Sequence, residues 1–269
     1  MAVGGDKARG GSVSFADVTL RYAGTDEDSP PVISGLSLEV EAGEFFVIVG
    51  PSGCGKSTLL RMVAGFLPPT GGSVMTNDYP VVGPGPSRAK VFQSVDGPLL
   101  DWLTVRQNVA FGLKLQARGR GKFDPAEVDH WLGVVGLTTA ADKFPHELSG
   151  GMKQRVQIAR ILALKPEIVL MDEPFAALDA QTRRLLQKQV SELWRAEGRT
   201  FVYVTHDIRE ATLLGERIGV MKAGPESAFL EIHTLDLPFP RDEFSPEFGR
   251  IARKVEEQIV EEVMKAWEG

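Results

Sequence analysis

Phe45-Phe46-Val47-Ile48-Val49-Gly50-Pro51-Ser52-Gly53-Cys54-Gly55-Lys56-Ser57 is the stretch that decides how this chain folds. It opens on an unbroken apolar run, as expected of a strand buried on both faces of a sheet. Gly50 to Ser57 then fits G-x-x-x-x-G-K-[ST], and Thr58 to Ala64 continues with helical spacing. Strand, glycine-rich loop and helix in that order build a phosphate cradle. The glycines let backbone N–H groups close around phosphate oxygens, and the helix N-terminus favours negative charge. In such a cradle Lys56 meets the β- and γ-phosphates and Ser57 ligates Mg2+. Cys54 stands at an unconstrained loop position and reads as a small filler rather than a nucleophile.

Two further apolar runs, Ile168 to Met171 and Thr200 to Val204, read as buried strands. Val13 to Tyr22 and Leu36 to Val40 alternate apolar and polar residues, the pattern of half-buried strands, with a loop over Asp26 to Pro31 between them. Buried strands separated by helix-period segments predict an α/β fold with a parallel sheet. Trp102 to Ala163 is mostly helical in pattern, broken at Arg118 to Gly121, and reads as a helical insertion. Beyond Pro240, Phe248, Ile251, Val255, Ile259 and Val263 recur at helical spacing, predicting one amphipathic C-terminal helix. Met1 to Gly11 reads as a polar, Gly-rich tail with no secretion signal.

Chemistry gathers at the ends of the apolar runs. Asp172 and Glu173 close the run from Ile168, at the sheet edge where open parallel sheets bind ligands. Asp172 is placed to hold Mg2+ directly or through water, and Glu173 to accept a proton from an attacking water. His206 follows the run ending at Val204 and reads either as a structural histidine or as a contact to the γ-phosphate. Tyr22 is equally an ordinary strand aromatic or a platform for adenine.

Composition narrows the function classes. The 269 residues carry 30 Lys plus Arg against 36 Asp plus Glu, a formal charge of −6. The acidic pI of about 5.4 gives no footprint for a nucleic-acid backbone, so no nucleic-acid partner is expected. A single cysteine offers neither an internal disulfide nor a zinc cluster and fits a reducing cytosol. No apolar run approaches the roughly 20 residues of a membrane-spanning helix.

Leu148-Ser149-Gly150-Gly151-Met152-Lys153-Gln154-Arg155 closely resembles the signature motif of the ATP-binding subunits of ABC transporters. The resemblance runs from about Val13 to Arg241. It takes in, in family order, Tyr22, the loop Gly50 to Ser57, Gln93, the signature, Asp172-Glu173, Ala177-Leu178-Asp179 and Val204-Thr205-His206-Asp207. It implies the ABC ATPase fold: a P-loop NTPase with a RecA-like parallel sheet core, an antiparallel β subdomain and a helical signature subdomain over about 94–160. The cassette would span 12–241, after a tail of 1–11 and before a C-terminal helix over 242–269.

The resemblance also implies ATP with Mg2+. Contacts to them would come from Tyr22, Gly50, Pro51, Ser52, Gly53, Cys54, Gly55, Lys56, Ser57, Thr58, Gln93, Ser149, Gly150, Gly151, Gln154 and Asp179. Glu173, His206, Gln93 and Lys56 would serve hydrolysis, and Ser57, Gln93 and Asp172 the metal. Ser149, Gly150 and Gly151 would close over the γ-phosphate on a second copy's loop, giving a two-fold dimer with Asp179 at its seam.

Within the family, Gly83 to Arg88, Trp102-Leu103-Thr104-Val105 with Asn108-Val109, and Leu237 to Arg241 resemble the branch serving nitrate, sulfonate and taurine importers. The chain departs from that branch at Asp101, where proline is common, and at Lys222 to Ser227. An importer ATPase held at the cytoplasmic face of the cell membrane is the leading expectation, with permease subunits as direct partners and an external substrate-binding protein as an indirect one. The alternative is a non-transport ABC ATPase with soluble partners. Leu99, Leu100 and Trp102 lie where family members receive a permease helix, and read equally as a docking patch or as core of the helical insertion.

Overall fold

In the computed structural model, which describes residues 10–22, 29–94, 97–117 and 123–268, two sheets sandwich one helix. The expected break at Arg118 to Gly121, most of the tail, and the loop residues 26–28 lie outside the described residues. The first sheet is antiparallel. It holds β1 (Val13–Leu20), β2 (Ile33–Val40), β4 (Gly71–Thr76) and β5 (Tyr79–Pro80) in the order β2-β1-β4-β5.

The second sheet contains β3 (Phe45–Val49), β6 (Arg88–Val91), β7 (Ile168–Asp172), β8 (Thr200–Val204), β9 (Arg217–Met221) and β10 (Phe229–Thr234). Its order is β10-β9-β3-β8-β7-β6, parallel throughout except for the antiparallel β9–β10 pair. Three adjacent inner strands, β3, β8 and β7, are the three continuous apolar runs of the sequence, and each is buried at every residue. Both faces are covered, which is why these strands carry no polar alternation.

The helix α1 (Lys56–Val63) leaves the end of β3 and packs Leu59, Leu60, Met62 and Val63 between the two sheets. It begins two residues before the segment that periodicity marks, because Gly55 takes φ 96° and turns the loop directly into the helix. A Cβ on Gly55 would also sit 3.2 Å from Ile33 Cγ1, so glycine is required twice over.

On the other face of the parallel sheet lie α2 (Val105–Ala117), α3 (Pro125–Val134), α4 (Gly150–Ala163) and α5 (Ala180–Glu197). The first three pack on one another and form the helical subdomain. Among the described residues, the expected helical stretch from Trp102 to Ala163 is thus three helices, with irregular chain and two short 3-10 turns, Thr138–Ala140 and Pro145–Glu147, before α4.

A short helix, α6 (Ile208–Leu214), precedes β9, and α7 (Pro246–Glu268) closes the chain. The helix α7 packs on α6 and β9 of its own domain, with Val255, Ile251 and Ile259 joining the core and Phe248 buried. Val263, expected on that stripe, is exposed. Among the described residues, no helix is long and apolar enough to cross a membrane.

Candidate functional site

At the carboxyl edge of the parallel sheet, β3, β7 and β8 deliver Gly50, Asp172 and Thr205 side by side, and the site grows from their ends. The Lys56 ammonium donates to the carbonyls of Gly50 (2.8 Å) and Pro51 (2.7 Å), while Cys54 is buried with its Sγ 3.7 Å away. Burial pushes the Cys54 thiol up, against the pull of the Lys56 charge, so it stays a neutral filler. Ser57 Oγ donates to Asp172 Oδ1 at 2.8 Å, and Tyr22 and Thr58 share a hydroxyl contact at 2.9 Å.

A second group meets at Glu173. This residue holds a left-handed backbone, φ 47°, immediately after β7, which swings its carboxylate out of the strand line. Gln93 Nε2 donates to Glu173 Oε2 at 3.0 Å, and His206 Nδ1 lies 3.3 Å from the same oxygen. Gln93, 80 positions before Glu173, and His206, well beyond it in the chain, therefore converge on one carboxylate.

Gly150 and Gly151 open α4, and Ser149 caps it, its hydroxyl accepting from the Met152 N–H at 3.3 Å. Among the described residues no hydrogen bond joins these three to the loop Gly50 to Ser57. A Cβ on Gly151 would meet Ala177 O at 3.1 Å and Leu178 Cδ2 at 3.3 Å, so the signature glycine is packed against the segment leading to Asp179. Asp179 caps α5, accepting from the N–H groups of Gln181 (3.1 Å) and Thr182 (3.0 Å). The Thr182 hydrogen bonds hold its carboxyl below the usual carboxylate range.

Gln154, expected among the nucleotide contacts, is instead 1% exposed and donates to the Phe92 carbonyl at 3.3 Å. Gln157 does the same to Ser94 O at 2.9 Å. The helix that carries the signature therefore clamps the backbone on both sides of Gln93. Sequence reading missed Gln157, and it also missed Lys90, whose ammonium lies 2.9 Å from Asp172 Oδ2.

A family model described as ABC transporter matches residues 33–176. The chain belongs to the ABC transporter family. It is 48% identical over 246 residues to a protein of Brucella abortus biovar 1 (strain 9-941) named for ATP binding, covering 90% of this chain and 91% of that one. It is also 46% identical over 214 residues to the taurine import ATP-binding protein TauB of Roseobacter denitrificans, covering 79% and 78%. Among solved structures it resembles the dimeric form of MJ0796, a bacterial ABC transporter cassette. The TM-score is 0.74 at 31% identity, over 83% of this chain and 98% of the other.

As an ATP-binding subunit of the ABC family, the chain has the ABC ATPase fold and the enzyme class of an ATPase coupled to transport. The donors fit that ligand. Among the described residues no cluster of three or more His, Cys, Asp and Glu could hold a metal unaided. A serine hydroxyl against one carboxylate is instead the sparse oxygen set that suits Mg2+ arriving with phosphates.

Proposed function

We propose that this chain is the energy-coupling ATPase of an importer for taurine, sulfonate, nitrate or a related small solute. The observation that carries the catalytic half is the convergence of Gln93 and His206 on one oxygen of Glu173 beside the Ser57–Asp172 pair. The identity to taurine import subunits supports the solute class.

In this reading Gly50, Pro51, Ser52, Gly53, Cys54, Gly55, Lys56, Ser57 and Thr58 cradle the phosphates of ATP and Tyr22 carries the adenine. Lys56 exchanges its loop carbonyls for phosphate oxygens. Ser57, Asp172 and Gln93 hold Mg2+, which when bound neutralises charge developing on the phosphates. Glu173 takes the proton of the attacking water, with Oε2 fixed by Gln93 and His206 so that the carboxylate presents one orientation. The His206 contact requires the Nδ1–H tautomer or the imidazolium.

Ser149, Gly150 and Gly151 serve the nucleotide of a second copy, so two chains form two sites across a two-fold axis with Asp179 at the seam. Residues 12–241 are the cassette and 242–269 an appended helix. The subunit works as a peripheral protein at the cytoplasmic face of the membrane, bound to permease subunits and served indirectly by an external binding protein. The docking patch centres on Trp102, which is 73% exposed; Leu99, at 6%, belongs to the core.

The test is recovery of tagged chain from membranes in mild detergent, comparing the native protein with Glu173→Gln in ATP and Mg2+. A co-purifying multi-span permease, with dimer enriched in the variant, is the expected result. Recovery of soluble partners alone would replace the importer by a non-transport ABC ATPase.

A further inference from the structure

Lys90 stands in β6 one residue before Val91-Phe92-Gln93, inside the sheet rather than on the surface. In the parallel ladder it pairs with Leu170 of β7. Side chains alternate along a strand, so Lys90 shares the α1 face of the sheet with Leu170 and Asp172, while Val91 belongs to the opposite core. The lysine reaches diagonally forward to the carboxylate two residues beyond its partner. The pair is buried, with the two side chains 5% and 6% exposed, and its N–O distance is 2.9 Å. The ammonium also lies 5.4 Å from the centroid of the Phe92 ring.

A buried ion pair is a poor device for stability, because desolvating both charges offsets most of their attraction. Apolar side chains would hold β6 on β7 as well, so the charge calls for another account. Asp172 divides its oxygens: Oδ1 takes the Ser57 hydroxyl and Oδ2 the Lys90 ammonium. Without Lys90, that buried anion would keep only the Ser57 hydroxyl as a partner where the phosphates arrive. With Lys90 that anion is balanced from behind, inside the protein.

We propose that Lys90 is a positioning residue that acts through Asp172, balancing the buried carboxylate so that nucleotide binding depends only weakly on Mg2+. This rests on the proposed reading of Asp172 as the magnesium carboxylate. Two consequences run in one direction. Removing the ammonium repels metal-free phosphates from the loop, and it makes Asp172 a stronger partner for the metal. Both raise the ratio of nucleotide affinity with Mg2+ to affinity without it, which is a coupling free energy between two ligands.

The test measures binding of AMP-PNP to the intact chain in EDTA and across a Mg2+ titration, for the native protein, Lys90→Met, Lys90→Gln and Lys90→Arg, with thermal unfolding as the check on folding. Gln keeps a hydrogen-bond donor toward Asp172 without the charge, so it decides the matter if Met is too unstable. The ratio should rise at least about fivefold in Met and Gln, the lower end of typical coupling, and return to the native value in Arg. An unchanged ratio in a folded Gln variant overturns the role of Lys90 while leaving the nucleotide site standing. Failure of the native chain to bind AMP-PNP in any condition overturns the nucleotide site itself, and Lys90 with it.

Discussion

The loop edge and the signature edge of this cassette differ in the side chains that one chain brings together at each. At the loop edge, Lys56, Ser57, Asp172, Lys90, Gln93, Glu173 and His206 all have partners within the chain. At the signature edge, Ser149 and Gly150 are exposed, and among the described residues the N–H groups of Gly150 and Gly151 make no hydrogen bond. Unpaired N–H groups at the start of a helix as long as α4 are an anion site in waiting. Among the described residues the loop edge also keeps unpaired N–H groups, at Gly53 and Gly55, but beside them stand the bonded, charged side chains that the signature edge lacks, a division that fits a site finished by a second copy.

The hardest blow to the loop edge is Glu173→Gln. It removes the group placed to take the proton and keeps the shape, so steady-state ATP hydrolysis should fall by about 10²–10⁴-fold while equilibrium ATP binding stays within a few-fold. Loss of binding in parallel with turnover would show that Glu173 shapes the cradle rather than serving the reaction. Gly151→Val strikes the other edge. Its first carbon would press on Ala177 O and Leu178, displacing the segment before Asp179. In a Glu173→Gln background it should abolish the ATP-dependent dimer seen by light scattering, with nucleotide affinity of the single chain retained. A dimer that survives would make the signature edge dispensable.

The two edges were also unequally legible in the sequence. The loop edge could be read because it hangs on β3, β7 and β8, whose continuous apolar runs announce burial on both faces. Strands without that signal escaped: β4 begins Gly71-Gly72, and β6 is four residues with two cations. Missing β6 hid Lys90, since a lysine is remarkable only once the strand around it is known to be buried. Gln154 lay beyond what the motif shows for a related reason. A motif gives the neighbourhood of a residue, but only the turn of α4 decides that this side chain points inward to Phe92. Leu99, Leu100 and Trp102 likewise part company, because the irregular chain before α2 buries the first and exposes the last.

Trp102 therefore offers a surface probe that leaves both edges alone. Trp102→Ala should leave ATP binding by the isolated chain unchanged while weakening capture of the permease by about 2 kcal/mol, the size of an interface anchor. Co-purification from detergent beside ATP titration of the free chain measures both. Equal loss of the two would return Trp102 to a structural role.

The smallest effect concerns the support beneath His206. Glu210 is buried at the start of α6, accepting from Gln187 Nε2 at 2.8 Å and from the Thr205 hydroxyl, just behind the loop edge. Burial raises its carboxyl above the ordinary value of 4.5, more than the Thr205 and Gln187 hydrogen bonds lower it. The folded chain then holds a proton there that the unfolded chain has already lost. The contribution of Glu210 to stability is accordingly complete below about 4.5 and declines as pH rises through the folded value. Glu210→Gln cannot titrate, and its amide meets donors where a carboxylate accepts, a mismatch costing about 1 kcal/mol. Thermal unfolding of both proteins across pH should show the variant's deficit largest on the acid side and shrinking toward neutrality. A deficit that grows with pH would mean that Glu210 is held ionised by its donors, making the floor of the loop edge a charged network rather than a neutral one.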